Sequence, residues 1–158
     1  MIEVGLVSGD VAASIIDSEL FDRISTGNSS ESDIRRCFSD SDIHIGAAVS
    51  GSLIGVITFI PESSTTVEVH CNFLKQHREA ALEASRLIAE AFLSEYPTVQ
   101  KLRASIPDIY PDVIGFALKF GFVKEGIDRK SICKSGKMID RIYMGVTRQE
   151  LELKLWAQ

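Results

Sequence analysis

Between Thr66 and Gly126 the chain passes through a strand-like stretch, a charged turn, an amphipathic helix, a second strand and a second helix, and it closes on Lys119-Phe120-Gly121-Phe122. Strands alternating with helices of this length belong to an α/β arrangement, a sheet flanked by helices. The first strand, Thr66 to Leu74, alternates strictly: Val67, Val69, Cys71 and Phe73 share one face, and Glu68, His70 and Asn72 share the other. If helices cover both sides of the sheet, such a polar row must be paired, hydrated or set in a cleft, which makes these three residues site candidates. The other reading is a solvent-facing row on an antiparallel strand.

The turn that follows, Lys75-Gln76-His77-Arg78-Glu79-Ala80-Ala81-Leu82, leads into a helix. Ala80, Ala84, Leu87, Ile88, Ala91 and Phe92 form its expected buried stripe, and Pro97 lies beyond its end. A strand feeding straight into a helix leaves backbone N–H groups aimed at whatever lies above the turn, an anion site by geometry that Lys75, His77 and Arg78 strengthen. Solvated charges at an ordinary helix start are the plainer alternative. Lys101 to Ile106 reads as the next strand. Pro111 suits the first position of a second helix carrying Val113, Ile114, Ala117 and Leu118, and Gly121 ends it.

Upstream, Ile2 to Val7 reads as a strand. Asp10 is the expected N-cap of one helix bearing Val11, Ile15, Ile16, Leu20, Phe21 and Ile24 at helical spacing. A short helix is expected behind Ser30, over Glu31 to Phe38, from the Ser-x-x-Asp pattern at Ser30 to Asp33. From Asp42 to Glu62 there is no intervening charge, enough length for a membrane span, but Ser50-Gly51-Ser52 divides it into two β-branched-rich runs. A hairpin, Ile43 to Val49 and Leu53 to Ile60, accounts for that better. A second hairpin, Val123 to Cys133 and Met138 to Thr147, turns through Lys134-Ser135-Gly136-Lys137. The tail Gln149 to Trp156 suits an edge strand, a short helix or a homodimer contact.

With 158 residues, 45% hydrophobic and 25% charged, and no internal linker or repeat, residues 1–158 read as one globular domain. A net charge of -5 with scattered basic residues argues against a nucleic-acid partner and favours a cationic or neutral substrate. Cys37, Cys71 and Cys133 form no Cys-x-x-Cys pair, so neither a disulfide framework nor a zinc site is expected. The N-terminus has no basic leader or long apolar run, and a cytoplasmic protein without a membrane anchor is the expectation.

The element order from Thr66 to Phe122 resembles the core of the GNAT superfamily of acetyl-coenzyme A-dependent N-acetyltransferases. That resemblance implies a single-domain, mostly antiparallel seven-stranded mixed sheet with helices on both faces, splayed between its fourth and fifth strands. It implies acetyl transfer from acetyl-coenzyme A to an amine, with Glu68 or His70 as base. The main chain around Phe73 and Leu74 would lie along the pantetheine, and the turn Arg78, Glu79, Ala80, Ala81, Leu82 and Glu83 would hold the pyrophosphate. In the family this turn reads Arg or Gln, two residues, Gly, one residue, Gly or Ala. Here Arg78 matches the leading residue, but Ala81 replaces the first Gly and Glu83 the second position. Ala117 stands where many members place the Tyr that protonates the thiolate, and Tyr110 is the phenol near enough in sequence to substitute, or a turn residue packed on proline. Similar chains with a glycine-poor turn and a Lys-x-Gly-Phe ending occur in tailed phages, some serving in head assembly. A catalytically degenerate assembly protein with capsid or portal partners in a host cytoplasm is therefore the alternative, and a non-catalytic acyl-coenzyme A binding module is another.

Overall fold

The computed structural model describes residues 1–25 and 38–155. Seven strands form one sheet: β1 (Ile2–Val7), β2 (Ile43–Val49), β3 (Ser52–Pro61), β4 (Thr66–Phe73), β5 (Lys101–Pro107), β6 (Val123–Lys134) and β7 (Lys137–Thr147), in the order β1-β2-β3-β4-β5-β7-β6. Every neighbouring pair is antiparallel except β4 and β5. Among the described residues there are five α-helices: α1 (Gly9–Ala13), α2 (Ser18–Ile24), α3 (Arg78–Glu95), α4 (Pro111–Phe120) and α5 (Arg148–Leu155). None is long and apolar enough to cross a membrane.

Local chemistry explains the turns. Ser50-Gly51 and Ser135-Gly136 hold positive φ at both central positions (51° and 78°, 51° and 75°), the twist that closes a two-residue hairpin. Gly121, at φ 128°, stops α4, donating its N–H to the carbonyls of Ala117 and Leu118.

The sheet is covered on both sides. On one face Ile45, Ile57, Phe59, Val67 and Phe73 pack against Ala81, Ala84, Ile88 and Phe92 of α3 and Ala117 and Phe120 of α4. The Phe59 and Phe92 rings stack at 3.8 Å, 4° from parallel. On the other face Val56 packs with Ala12, Ile15, Ile16, Leu20 and Phe21. These upstream helices cover the β1-β2-β3 side, while the polar side chains of β4, β5, β6 and β7 on that face stay partly open.

Two expectations need correction, and one left open is decided. The helix expected from Asp10 through Ile24 is two helices. Ser8, not Asp10, caps α1 by accepting from the Val11 N–H, and Asp17 starts α2 by accepting from the Leu20 N–H at 2.9 Å. A side-chain cap inside an apolar stripe restarts the helix, which is how Ile15 and Ile16 both become buried while Val11 stays exposed. In α3 the buried stripe is Ala81, Ala84, Ser85, Ile88, Ala89, Phe92 and Leu93, rotated from the expected one, with Ala91 exposed. The tail is a helix as far as Leu155, and its Arg148 binds back on the domain: Nε donates to Val99 O (2.7 Å) and Nη2 to Tyr96 O (2.8 Å) and Leu93 O (3.1 Å). The helix expected over Glu31 to Phe38 lies outside the described residues, apart from Phe38 itself, which is in a bend.

Candidate functional site

The β4-β5 ladder is short. Thr66 pairs with Lys101, Val67 with Leu102 and Glu68 with Arg103, and there it stops, although β4 runs on to Phe73 and β5 to Pro107. Beyond Glu68 the two strands part and leave a notch. Backbone direction alternates along a strand, and the Leu74 N–H donates to Ile54 O of β3 (3.0 Å), so the N–H and C=O groups of Val69, Cys71 and Phe73 point the other way, into the notch. The free main chain therefore ends at Phe73. Leu74, expected to share this role, is committed to β3.

Gly55 has a steric reason to be glycine. A Cβ there would lie 2.1 Å from Cδ1 of Phe73, whose ring covers it. This close approach fixes the Phe73 ring against β3 and with it the end of β4.

The expected facing of β4 holds on both sides. The Cys71 Sγ lies 3.8 Å from Ser85 Oγ of α3, and Val67 and Phe73 enter the core beside it. On the opposite face Asn72 is buried, while Glu68 and His70 form a pair, Oε1 to Nε2, at 3.1 Å. Their side chains are 30% and 51% exposed, so this end of the row is an accessible edge of the polar face. The hydrogen bond from His70 is the largest influence holding the Glu68 carboxyl below its ordinary range, with the charges of His70, Arg103 and Arg141 adding to it against desolvation. A carboxylate receiving N–H from Nε2 leaves Nδ1 of the neutral imidazole as a proton acceptor.

The same face carries Arg103, paired with Glu62 at 2.9 Å, and Arg141, paired with Asp128 at 2.9 Å. Both guanidinium groups lie over the Tyr143 ring, at 5.5 and 5.8 Å from its centre, and the Tyr143 hydroxyl donates to Asp128 at 3.3 Å. Sequence reading missed this cluster because its members come from separate strands and only the register gathers them.

Above the notch, a single 3₁₀ turn (Lys75–His77) leads into α3, whose N-cap, His77, makes no side-chain cap hydrogen bond. The first-turn N–H groups therefore face outward without a capping side chain, as an anion site needs. Ala81 is buried against the sheet and Glu83 is exposed, so the carboxylate at the second replaced position points away from the core-facing side of the helix. Ala80 and Leu82 are half-buried and Glu79 is exposed. The cations differ from the simple expectation. Arg78 Nη2 is bound to Glu19 of α2 at 2.5 Å, and Lys75 Nζ lies 3.8 Å from the same carboxylate.

Tyr110 caps the start of α4 and sits in a clamp. Arg23 of α2 stacks on its ring at 4.6 Å, and Lys134 Nζ donates to its hydroxyl at 2.6 Å. Lys134 also donates to Asp22 O and Ser25 O, and Arg23 bonds both oxygens of Asp112 (2.8 and 2.6 Å). The end of α2, the start of α4 and the tip of the β6-β7 hairpin are thus tied through one phenol. His44 has a structural role: its Nε2 donates to Ser39 O (2.7 Å), leaving Nδ1 to accept from the Thr58 hydroxyl (2.8 Å).

No family model matches the chain. No curated protein matches it either. Solved structures do. The spermidine N-acetyltransferase from Vibrio cholerae in complex with CoA and spermine is 13% identical, with 94% of this chain and 96% of that chain covered at a TM-score of 0.72. The ribosomal-protein-alanine N-acetyltransferase from Brucella melitensis is 13% identical, with 92% and 99% covered and a TM-score of 0.72. A GNAT-family acetyltransferase from Streptococcus pneumoniae is 15% identical, with 93% and 99% covered and a TM-score of 0.65. The fold is that of the GNAT acetyltransferases.

Proposed function

We propose that this chain transfers an acetyl group from acetyl-coenzyme A to an amine. The observation that carries the reading is the notch: free main chain of Val69, Cys71 and Phe73 on its wall, an uncapped helix start above it, and the Glu68–His70 pair beside it on the opposite sheet face. Pantetheine would lie along that main chain, and the pyrophosphate would meet the N–H groups from Arg78 to Glu83. The thioester supplies an activated acyl carbon and a thiolate leaving group. What the protein supplies is alignment, desolvation and proton handling.

In this mechanism His70 takes a proton from the substrate ammonium at Nδ1, while Glu68 holds the ring through Nε2 and stabilises the imidazolium that forms. The freed amine nitrogen makes the new C–N bond as the C–S bond breaks, and the second proton this nitrogen loses passes through water to the departing thiolate, giving the amide and the coenzyme A thiol. A thiolate is a much weaker base than an alkoxide and leaves without obligatory acid help, so we assign Tyr110 to the clamp and not to proton donation. The net charge of -5 suits cationic amines, and polyamines are the first acceptors to test, since spermine is bound in one structure of the same fold.

The test has two parts. Acetyl-coenzyme A at a hundredfold over its Kd adds about 2.7 kcal/mol of stability, which raises the thermal midpoint of a chain this size by about 5 to 10 °C. Thiol release with a polyamine and peptide panel then measures transfer, and His70→Ala is expected to lower kcat by about 10² to 10⁴. A midpoint rise with no transfer to any amine would instead identify a binding module. No rise at all would overturn the reading and favour a fold retained for assembly, to be pursued by co-purification with capsid or portal proteins.

A further inference from the structure

Two surface clefts of similar size among the described residues differ in the kind of charge they carry. One is lined by Glu62, Ser63, Thr66, Lys101, Arg103 and Glu125, and its cations are neutralised within it: Arg103 by Glu62 at 2.9 Å and Lys101 by Glu125 at 2.6 Å. The other, about 470 Å³, is lined by Arg86 of α3, Leu118, Lys119, Phe120 and Gly121 at the end of α4, and Leu153 and Lys154 of α5. Among the described residues its lining holds three cations and no carboxylate. Among the described residues none of the three makes an ion pair, in a chain whose net charge is -5.

A second observation points the same way. Arg86 Nε is buried, and it lacks a hydrogen-bond partner among the described residues. A buried donor left unsatisfied is destabilising, and a guanidinium offers Nε together with Nη as a two-pronged match for phosphate oxygens. Gly121 lines the cleft with the Lys154 stem beside it, 3.9 Å from where a Cβ would be, an ordinary packing distance. Lys154 also acts on Glu150, whose carboxyl is lowered first by the Thr147 N–H and only in smaller part by Lys154. The negative end of the α4 dipole opposes an anion here with about half a charge, well short of the three cations. Leu118 and Leu153, 54% and 69% exposed, give the cleft aliphatic flanks.

We infer that Arg86, Lys119 and Lys154 form a binding site for a phosphomonoester whose apolar or aromatic body lies on Leu118 and Leu153. The site lies away from the α3 start at Arg78; its use by a free metabolite is independent of acetyl transfer, and its use by coenzyme A rests on the proposed function. Two sources present this chemistry, a free phosphorylated metabolite and the 3′-phosphate of coenzyme A.

The full chain is titrated with inorganic phosphate at constant ionic strength set by chloride, following the Arg86 Nε–H and Gly121 amide resonances. A saturable shift is expected. It should weaken by about tenfold or more in Arg86→Gln, and also in the exposed pair Lys119→Met/Lys154→Met, which leaves the core untouched. Adenosine 3′,5′-bisphosphate should bind more tightly than phosphate, through its base. Coenzyme A and 3′-dephospho-coenzyme A separate the sources. A preference for coenzyme A that Arg86→Gln abolishes assigns the site to the cofactor's phosphate, whereas phosphate binding unchanged by saturating coenzyme A assigns it to a separate ligand. Shifts that chloride reproduces, or equal phosphate binding by wild type and both variants, would overturn the inference.

Discussion

Replacing Gly55 by alanine tests whether the Phe73 ring fixes the end of β4. The added Cβ would lie 2.1, 2.2 and 2.6 Å from Phe73 Cδ1, Cε1 and Cγ, where carbon atoms rest about 3.5 to 4.0 Å apart. The ring must therefore retreat by more than about 1 Å, and it is 9% exposed and packed in the main core, so it has little room to do so. Overpacking of this kind costs about 1 to 3 kcal/mol, offset by about 0.5 to 1 kcal/mol from restricting the unfolded chain. At contacts this short the cost falls in the upper half of that overpacking range, about 2 to 3 kcal/mol, and the net loss of about 1 to 2.5 kcal/mol lowers the thermal midpoint by about 2 to 10 °C. Urea unfolding of Gly55→Ala, Phe73→Leu and the double variant separates this clash from a general loss of strand stability. With the ring removed the new methyl group has space, so the two changes should couple by about 1 kcal/mol or more. Because the Phe73 main chain borders the notch, Gly55→Ala should also weaken acetyl-coenzyme A binding. A Gly55→Ala protein as stable as wild type, or additive behaviour in the double variant, would refute the packing argument.

Arg148→Met removes donors to the carbonyls of Val99, Tyr96 and Leu93 and should destabilise by about 2 to 3 kcal/mol, with α3 amides near its C-terminal end losing hydrogen-exchange protection first. The Asp112 carboxyl is lowered from 3.8, first by its hydrogen bond from Arg23. A lowered folded-state pKa contributes stability that is full above the unfolded pKa and is lost as pH falls through the folded one. The stability difference between wild type and Asp112→Asn should thus be constant near neutrality and shrink below about pH 4, starting from about 0.5 kcal/mol because the pair is exposed; an unchanged gap at pH 2 would contradict the assignment. Tyr110→Phe should keep kcat for acetyl transfer within about threefold while losing up to about 1 kcal/mol from the Lys134 hydrogen bond. A 10²-fold fall in kcat without unfolding would instead make Tyr110 the acid.

Local periodicity and turn chemistry are legible in the order of residues alone. Alternation places Glu68, His70 and Asn72 on one face of β4 and Cys71 and Phe73 on the other, because side-chain direction repeats every two residues wherever the strand lies. Ser50-Gly51, Ser135-Gly136 and Gly121 mark two hairpins and a helix stop, because positive φ is a property of the residue and its immediate neighbours. Tertiary structure decides whatever depends on residues far apart in the chain. The ladder between β4 and β5 ends at Glu68 and Arg103 because of how two strands diverge, and no residue type marks that point. Arg78 is held by Glu19, 59 positions earlier. Arg103, Arg141 and Tyr143 meet only through strand register, and Arg86 joins Lys119 and Lys154 only where three helices converge. Sequence sets which direction a side chain faces and where the chain turns. Which charges find a partner, and which are left to bind something else, is set by long-range packing that periodicity does not encode.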